Sequence, residues 1–172
     1  FVKTKNEIYK VITASSLVYE RLASWGIPYK KLVLIHTGVD TNLFSMPSKR
    51  KQKFIRDKLG FKKKEIVIGS FQKDGVGWGE GILPKYIKGP DLFVHSVEII
   101  AKNLPIVVLL TGPSRGYIKN ELTKRNIKFK HFYLKDYKEI VDYYHALDLY
   151  IVSSREEGGP KPLIESMASG VP

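Results

Sequence analysis

An alternation of short apolar runs with helix-length segments, between residues 66 and 152, is the feature that most constrains how this chain can fold. The apolar runs are residues 66–71, 106–111, 129–134 and 149–152. A helix-start proline or helical spacing marks the segments between them, which begin near Pro90, Tyr117 and Ile140. Strands that alternate with helices of this length form βαβ units. The sequence therefore predicts an α/β fold with a doubly wound parallel sheet.

A shorter alternation precedes this pattern. It predicts a strand, a helix and a second strand at residues 8–14, 15–26 and 32–35. The polar stretch at residues 47–51 follows, and we place a hinge there. Beyond the hinge, Phe54, Ile55 and Leu59 have the spacing of one helix face, and Gly60 is placed to end that helix.

Composition excludes several classes of protein. Apolar residues make up 43% of the 172 residues, which excludes a disordered tail. The absence of cysteine excludes disulfide frameworks, thiolate metal sites and cysteine nucleophiles, and it is compatible with the cytosol. The net charge of +12 predicts an anionic partner. The basic clusters at residues 49–51 and 62–64 are typical of solvated faces, with weak attraction to anionic lipid as the functional alternative.

The loops after the predicted strands are the place to look for a site, because ligands of such sheets bind beyond the carboxyl ends of the strands. Residues 72–89 form a long connection of this kind, which is typical of a lid or a binding loop. Packing of the loop onto the domain is the simplest explanation of its Trp78 and Tyr86, and stacking on a base or an acceptor is the alternative.

The last twenty residues contain the most specific pattern. A glycine-containing loop follows the last predicted strand, Pro162 suits the first turn of a helix, and Gly170 suits its C-terminal cap. Backbone amides at such a helix start can bind a phosphate. Glu165 follows Glu157 by eight positions. Two carboxylates held near one anion-binding point can accept hydrogen bonds from sugar hydroxyls, although isolated glutamates are usually only solvated.

This segment resembles the GT-B retaining glycosyltransferases of the glycosyltransferase family 4 type. Their second domain has two glutamates with this separation, followed by a run like Met-Ala-Ser-Gly-Val-Pro, which here is residues 167–172. Weaker agreements occur upstream in the same order: Gly38-Val39-Asp40 with Phe44, Lys88-Gly89, Gly112, and Ala146-Leu147-Asp148. Together they cover nearly the whole chain.

The resemblance implies the Rossmann-like, C-terminal half of a two-domain enzyme. Residues 1–47 would be the tail of the N-terminal acceptor domain and the crossover, and residues 48–172 the nucleotide-sugar-binding domain, truncated at its C-terminal end. Glu165 would bind the ribose hydroxyls and Glu157 would lie near the donor sugar. The other nucleotide-sugar-binding residues it implies are Gly158, Gly159, Pro160, Lys161, Pro162, Leu163 and Gly112.

The sequence departs from the family pattern in one place. Many relatives have an arginine after the glycine of the first strand of this domain, whereas this chain has Gly69-Ser70 followed by the long loop. We expect Lys88, and less firmly Lys73, to replace that arginine as the cation on the diphosphate, so that Glu157, Lys88 and Lys73 are the predicted catalytic residues. Lysine offers a phosphate a point charge without the bidentate fork of arginine.

The predicted function is therefore transfer of a hexose from a nucleoside diphosphate to an acceptor hydroxyl. The expected partners are a UDP-, GDP- or ADP-sugar and an acceptor sugar or lipid-linked acceptor, which a preceding domain would bind. We also expect a cytoplasmic location and peripheral contact with an anionic membrane. No cofactor and no metal are expected, since the histidines lack metal-ligand spacing. A non-catalytic nucleotide-binding module and a basic nucleic-acid-binding domain are the alternatives, and no recognition motif supports the second.

Overall fold

In the computed structural model, which describes residues 7–172, a four-stranded parallel sheet organises the larger of two units. The strands are β1 Val11–Thr13, β2 Leu32–Leu34, β3 Ile66–Ser70, β4 Ile106–Thr111, β5 Phe129–Phe132 and β6 Leu149–Tyr150. The helices are α1 Ser16–Ser24, α2 Lys49–Lys58, α3 Pro90–Ala101, α4 Gly116–Lys124, α5 Ile140–His145 and α6 Lys161–Ala168. Among these helices none is long and apolar enough to cross a membrane.

The larger unit comprises Val39–Glu156 and Pro162–Pro172. Its strands lie in the order β5-β4-β3-β6 and all neighbours are parallel. Chain order therefore reverses between β3 and β6, and in open α/β sheets the binding crevice forms at such a reversal. The predicted α/β, doubly wound parallel sheet is confirmed.

Successive side chains of the central strands point to opposite faces of this sheet, and because both sets are apolar, helices cover both faces. Val67 and Leu109 belong to a core with Ile55 of α2 and Tyr144 of α5. On the opposite face, a second core combines β3 and β4 side chains with α3 and α4. Both faces of β4 are buried along its whole length, which is typical of a central parallel strand.

The smaller unit comprises residues 7–38 and Glu157–Lys161. Its strands β1 and β2 pair in parallel, with α1 as the connecting helix. Leu22, Ile27 and Leu32 form its buried cluster. The first six residues of the predicted acceptor-domain tail lie outside the described residues.

Two local predictions differ from the structure. Phe54 is 66% exposed, so its predicted place on the buried face of α2 is wrong, and the neighbouring Ile55 is buried instead. Adjacent residues point about 100° apart on a helix, and both cannot face the sheet. The proposed hinge residues 49–51 form the first turn of α2, where Ser48 accepts a hydrogen bond from the backbone N–H of Lys51 at 3.2 Å.

Candidate functional site

The carboxyl ends of β3 and β6, where the strand order reverses, are tied together through Lys88. The Lys88 carbonyl accepts hydrogen bonds from Gln72 Nε2 at 2.8 Å and from Ser153 Oγ at 3.3 Å. Ser154 Oγ donates to Gln72 Oε1 at 3.1 Å. The residues that follow the two strands therefore hold the backbone of Lys88 at the edge where the sequence predicts a diphosphate.

Gly89 makes this close approach possible. Its φ is +61°, and a Cβ atom there would lie 1.8 Å from the carbonyl oxygen of Ser153. Any side chain would force the Lys88 segment away from the end of β6. Gly89 also precedes α3, whose first residue is Pro90, so the helix starts directly at this contact.

Arg155 closes the same contact from the other side, and the sequence prediction missed it. Its guanidinium binds both oxygens of Asp91 at 2.9 and 2.6 Å and donates to the carbonyl of Tyr86 at 2.6 Å. The hydrogen bonds from Arg155 hold the pKa of Asp91 below its usual value. The backbone N–H of Arg155 donates to the Ile87 carbonyl at 2.9 Å. The available signal was an arginine directly after the two serines that follow the last predicted strand.

Glu165 lies inside the larger unit rather than on its surface. The residue is 2% exposed, in α6. Tyr144 donates to its Oε2 at 2.9 Å, and Tyr137 donates to its Oε1. Burial raises the pKa of Tyr144 well above its ordinary value, so this phenol stays a donor. The ring of Phe71 packs against the ring of Tyr144, with the two ring centroids 4.9 Å apart.

The predicted phosphate loop belongs to the smaller unit, at Glu157–Lys161. Gly158 is exposed and nothing lies within 4 Å of the position a Cβ would take. Gly159 has φ +132°, which favours glycine. Pro160 is half-buried and Lys161 is exposed. The loop thus presents a short glycine backbone with room beside it.

The remaining predicted residues of the binding set are placed differently. Pro162 is half-buried and Leu163 is 38% exposed, both in the first half of α6. Gly112 ends β4 with φ +80° and open space around its Cβ position, and its carbonyl accepts from His131 Nε2 at 2.7 Å. Burial lowers the pKa of His131. Gly112 therefore lies at the same carboxyl edge, one strand away from the reversal point.

The long connection at residues 72–89 forms a hairpin with its own backbone hydrogen bonds. Gly75 and Pro84 form an antiparallel bridge. Backbone hydrogen bonds extend it on both sides, from Val76 N–H to the Leu83 carbonyl at 2.9 Å and from Lys85 N–H to the Asp74 carbonyl at 2.7 Å. We call residues 72–89 the edge hairpin.

The edge hairpin caps the start of α4. The N–H groups of Gly116 and Tyr117 donate to the carbonyls of Glu80 and Gly81 at 2.6 and 2.9 Å. A Cβ on Gly81 would lie 2.4 Å from the carbonyl oxygen of Ser114. Backbone therefore packs directly on backbone here, and two donors of the α4 N-terminus are satisfied by the hairpin rather than offered to a ligand.

A buried ion pair holds the base of the edge hairpin. Arg115 Nη2 lies 2.9 Å from Asp74 Oδ2, and neither side chain is accessible. The guanidinium also donates to the Ser70 carbonyl at 2.8 Å, to Ser70 Oγ at 3.0 Å and to the Thr111 carbonyl at 3.1 Å. An arginine from the β4–α4 loop therefore contacts Ser70, the position where many relatives have their own arginine.

Burial dominates the electrostatics of this pair. Desolvation raises the pKa of Asp74 to about 6 although Arg115 opposes that shift, and it lowers the pKa of Arg115. The sequence prediction missed both residues. The signal was an acidic residue in the glycine-rich loop and an arginine just after the next strand.

Lys73, the second predicted cation, lies on an aromatic ring. Its Nζ is 3.5 Å from the ring centroid of Trp78, a cation–π arrangement. The structure thus brings the backbone of Lys88, Gln72 and the two serines that follow β6 together at the reversal point. The ammonium of Lys73 lies over Trp78 within the same hairpin. In the part of the chain that the structure describes, no group of three or more acidic or histidine side chains is placed to hold a metal.

A cavity of about 260 Å³ lies at the opposite, amino edge of the sheet, where Pro105, Ile106 and Asn126 are among its lining residues. No predicted site residue lines it. At the carboxyl edge lie Gln72, Ser153, Ser154, Gly112 and the backbone of Lys88. We therefore assign the candidate site to that edge.

Comparison with known proteins gives a family match. The family model described as glycosyl transferases group 1 matches residues 81–172. The lipopolysaccharide core biosynthesis mannosyltransferase LpsB of Rhizobium meliloti is 27% identical over 148 residues, which are 81% of this chain and 38% of that protein. Mannosylfructose-phosphate synthase of Agrobacterium fabrum is 26% identical over 167 residues, 88% of this chain and 34% of that protein.

Solved structures agree on the fold. Anabaena Alr3699/HepE, solved in complex with UDP-glucose, matches with a TM-score of 0.75 at 19% identity, over 95% of this chain and 43% of that one. At this identity the likeness shows the fold alone. The chain spans well under half the length of each of these three proteins.

Proposed function

The chain belongs to the glycosyl transferases group 1 family, and on that premise we propose that it binds the nucleotide-sugar donor of a retaining, family 4 type hexosyltransferase with a GT-B fold. The observation that carries the proposal is Glu165, a buried carboxylate at the predicted ribose position, oriented by Tyr144 and Tyr137. A carboxylate accepts hydrogen bonds and donates none when ionised, which is the chemistry that two ribose hydroxyls require of a partner.

The chemistry proposed for this edge is displacement at the anomeric carbon. The bond from that carbon to the diphosphate oxygen breaks and its electron pair goes to the diphosphate. An acceptor hydroxyl attacks from the same face, forms the new bond to the anomeric carbon and loses its proton to an oxygen of the departing diphosphate. Negative charge develops on the phosphate oxygens, and fixed donors aimed at that charge stabilise the transition state. We assign this work to the amides of Gly158 and Gly159 and to Lys88, with Glu157 near the donor sugar.

The similar proteins guide the choice of donor. One relative is named as a mannosyltransferase and the structural neighbour holds UDP-glucose. We therefore propose a UDP-, GDP- or ADP-hexose as donor. The acceptor, a sugar or lipid-linked acceptor, would be bound by an additional domain, so we expect this chain alone to bind nucleotide without transferring sugar.

Calorimetric titration with UDP, GDP and ADP and with their hexose conjugates tests the proposal. Glu165→Ala should weaken binding of the preferred nucleotide about tenfold or more, because charge-assisted hydrogen bonds contribute about 1.5–3 kcal/mol each. Glu98→Ala on α3, which removes a glutamate that binds Arg125, is the matched control. Unchanged affinity in a folded Glu165→Ala chain would remove Glu165 from the site.

Lys88 gives a second test of the same site. Lys88→Ala should weaken diphosphate binding more than nucleoside binding, since only the diphosphate presents anionic oxygens to an ammonium. Equal losses for both ligands would mean that Lys88 supports the loop instead. A Lys73→Ala chain, measured beside it, shows whether the lysine over Trp78 contributes.

Peripheral contact with an anionic membrane is a further part of the proposal. Lys62, Lys63 and Lys64 are exposed directly after α2, whose own first turn contains Lys49, Arg50 and Lys51. Basic clusters are attracted to anionic lipid surfaces. Sedimentation with phosphatidylserine vesicles but not with neutral vesicles is the expected result, and equal recovery with both would contradict it.

A further inference from the structure

The edge hairpin displays a tryptophan in a fixed position. The Trp78 side chain is 83% exposed, yet the residues on both sides of it are held. Ser114 Oγ lies 2.9 Å from the Gly77 carbonyl and 3.0 Å from the Gly79 carbonyl, so one hydroxyl pins the backbone before and after Trp78. Tryptophan is enriched at interfaces because its ring combines a large apolar area with a polar N–H group. An ordered backbone lowers the entropy cost of binding through such a ring.

The fold maintains this arrangement with several unfavourable features. Ser114 is buried and has φ +58°, a left-handed conformation that a serine adopts only when its surroundings demand it. The ion pair between Asp74 and Arg115 is fully buried at the base of the hairpin. Strained and desolvated groups of this kind cluster at ligand sites, where they fix a geometry in advance.

The position of the ring narrows the choice of ligand. Ser114 follows β4, and the edge hairpin begins after β3, so Trp78 is pinned at the carboxyl edge of the same two strands. One face of the indole lies against the ammonium of Lys73, whose Nζ is 3.5 Å from the ring centroid. The exposure of the side chain leaves the opposite face to solvent.

We propose that Trp78, backed by Lys73, is a platform on which a hexopyranose ring of a substrate stacks. A pyranose presents C–H groups on one face, which suits the face of the exposed indole that Lys73 does not cover. This inference rests on the proposed function, because that function supplies the sugar at this edge. The ring would belong either to the donor or to the acceptor.

Fluorescence of a chain with one tryptophan tests the platform directly. The chain has two tryptophans, so Trp25→Phe leaves Trp78 as the reporter. We expect its emission to change on titration with UDP-glucose, GDP-mannose or ADP-glucose, and to change less with the matching diphosphates alone. A response to free methyl glucoside or methyl mannoside as well would assign the platform to an acceptor sugar.

Affinity measurements on Trp78→Ala complete the test. Its affinity for the preferred nucleotide-hexose should fall about two- to tenfold, the size of one aromatic contact, while its affinity for the diphosphate stays unchanged. Trp25→Ala, the same change in α1's C-terminal cap in the smaller unit, should alter neither affinity. Equal losses for nucleotide-hexose and diphosphate would overturn the platform while leaving the proposed function intact. No loss for either, together with no response of Trp78 emission to the methyl glycosides, would overturn it as well.

The free-sugar titration keeps the two proposals separable. If the native chain binds no nucleotide, the proposed function fails, and the platform is then judged by the methyl glycosides alone. Saturable quenching of Trp78 emission by them, abolished by Trp78→Ala, would support the platform. A flat emission signal up to high sugar concentration, or Trp78 quenching that depends on protein concentration because two copies associate, would overturn it.

Discussion

Asp74 and Glu165 are both buried carboxylates of the larger unit, and their surroundings differ. Asp74, at the base of the edge hairpin, faces the buried guanidinium of Arg115 at 2.9 Å. Glu165, in α6, accepts hydrogen bonds from Tyr144 and Tyr137. The partner of Asp74 is a buried charge, whereas two of the partners of Glu165 are phenol hydroxyls. Two carboxylates of similar burial therefore differ in the chemistry of the groups that contact them.

Removing the charged partner of Asp74 should have the largest effect on the stability of the chain. Arg115→Met leaves the Asp74 charge buried without its guanidinium, and we expect the free energy of unfolding to fall by about 3–5 kcal/mol in a urea titration. Lys53→Met removes a partner of the exposed Lys53–Asp57 pair and should cost less than about 1 kcal/mol.

A double variant keeps this test interpretable if Arg115→Met does not fold. Asp74→Asn combined with Arg115→Met removes both charges and should recover much of the lost stability. A loss below about 1 kcal/mol for Arg115→Met would mean that the pair does not anchor the hairpin.

Removing a hydrogen-bond donor to Glu165 should lower the stability of the chain by a smaller amount. Tyr144→Phe deletes a buried donor to the carboxylate, and we expect a loss of about 1.5–3 kcal/mol in unfolding free energy. Tyr137→Phe should cost less, because Tyr137 is 46% exposed and water can replace its hydroxyl. Equal losses for the two variants would show that Glu165 depends on both tyrosines alike.

The smallest expected effect is a pH dependence. Burial raises the pKa of Asp74 from 3.8 to about 6, so the folded chain binds this proton more tightly than the unfolded chain does. The stability from this group is fully present below the unfolded value and is lost as pH rises through about 6. Relative to Asp74→Asn, the native chain should gain about 1 kcal/mol between about pH 7 and pH 5.

The difference between the two chains is the quantity to measure. Burial lowers the pKa of His131 and His145, so these groups destabilise the fold as pH falls through the same range. Their contribution cancels when denaturation of the native chain and of Asp74→Asn is compared at each pH. A difference that does not change with pH would indicate that Asp74 stays ionised in the folded chain.

Much of the fold follows from local signals. The bounds of β4 agree with the predicted residues 106–111, and Pro90 is the first residue of α3. Apolar runs and a proline act over a few residues, so a sequence shows them directly. Phe54 was misplaced because helical spacing alone could not decide whether Phe54 or Ile55 faces the sheet.

The site was predictable only in part, because some of its contacts join residues that are far apart in the sequence. Glu157, Glu165 and Lys88 were proposed from a motif, and their roles stay predictions. Arg115 and Asp74 are 41 positions apart, so an acidic residue in a glycine-rich loop and an arginine after a strand could each be noticed without showing that the two side chains pair. The hydrogen bonds from the α4 N-terminus to the edge hairpin join backbone groups, which every residue type carries, so composition could not indicate them.

The cap on α4 has a consequence for engineering this chain. Because Glu80 and Gly81 supply acceptors for the N–H groups of Gly116 and Tyr117, the edge hairpin and α4 form one transferable module. Trimming the hairpin to a short turn would uncap the helix as well as remove the loop. A chimera that exchanges either piece alone should therefore be less stable than one that exchanges residues 72–124 together.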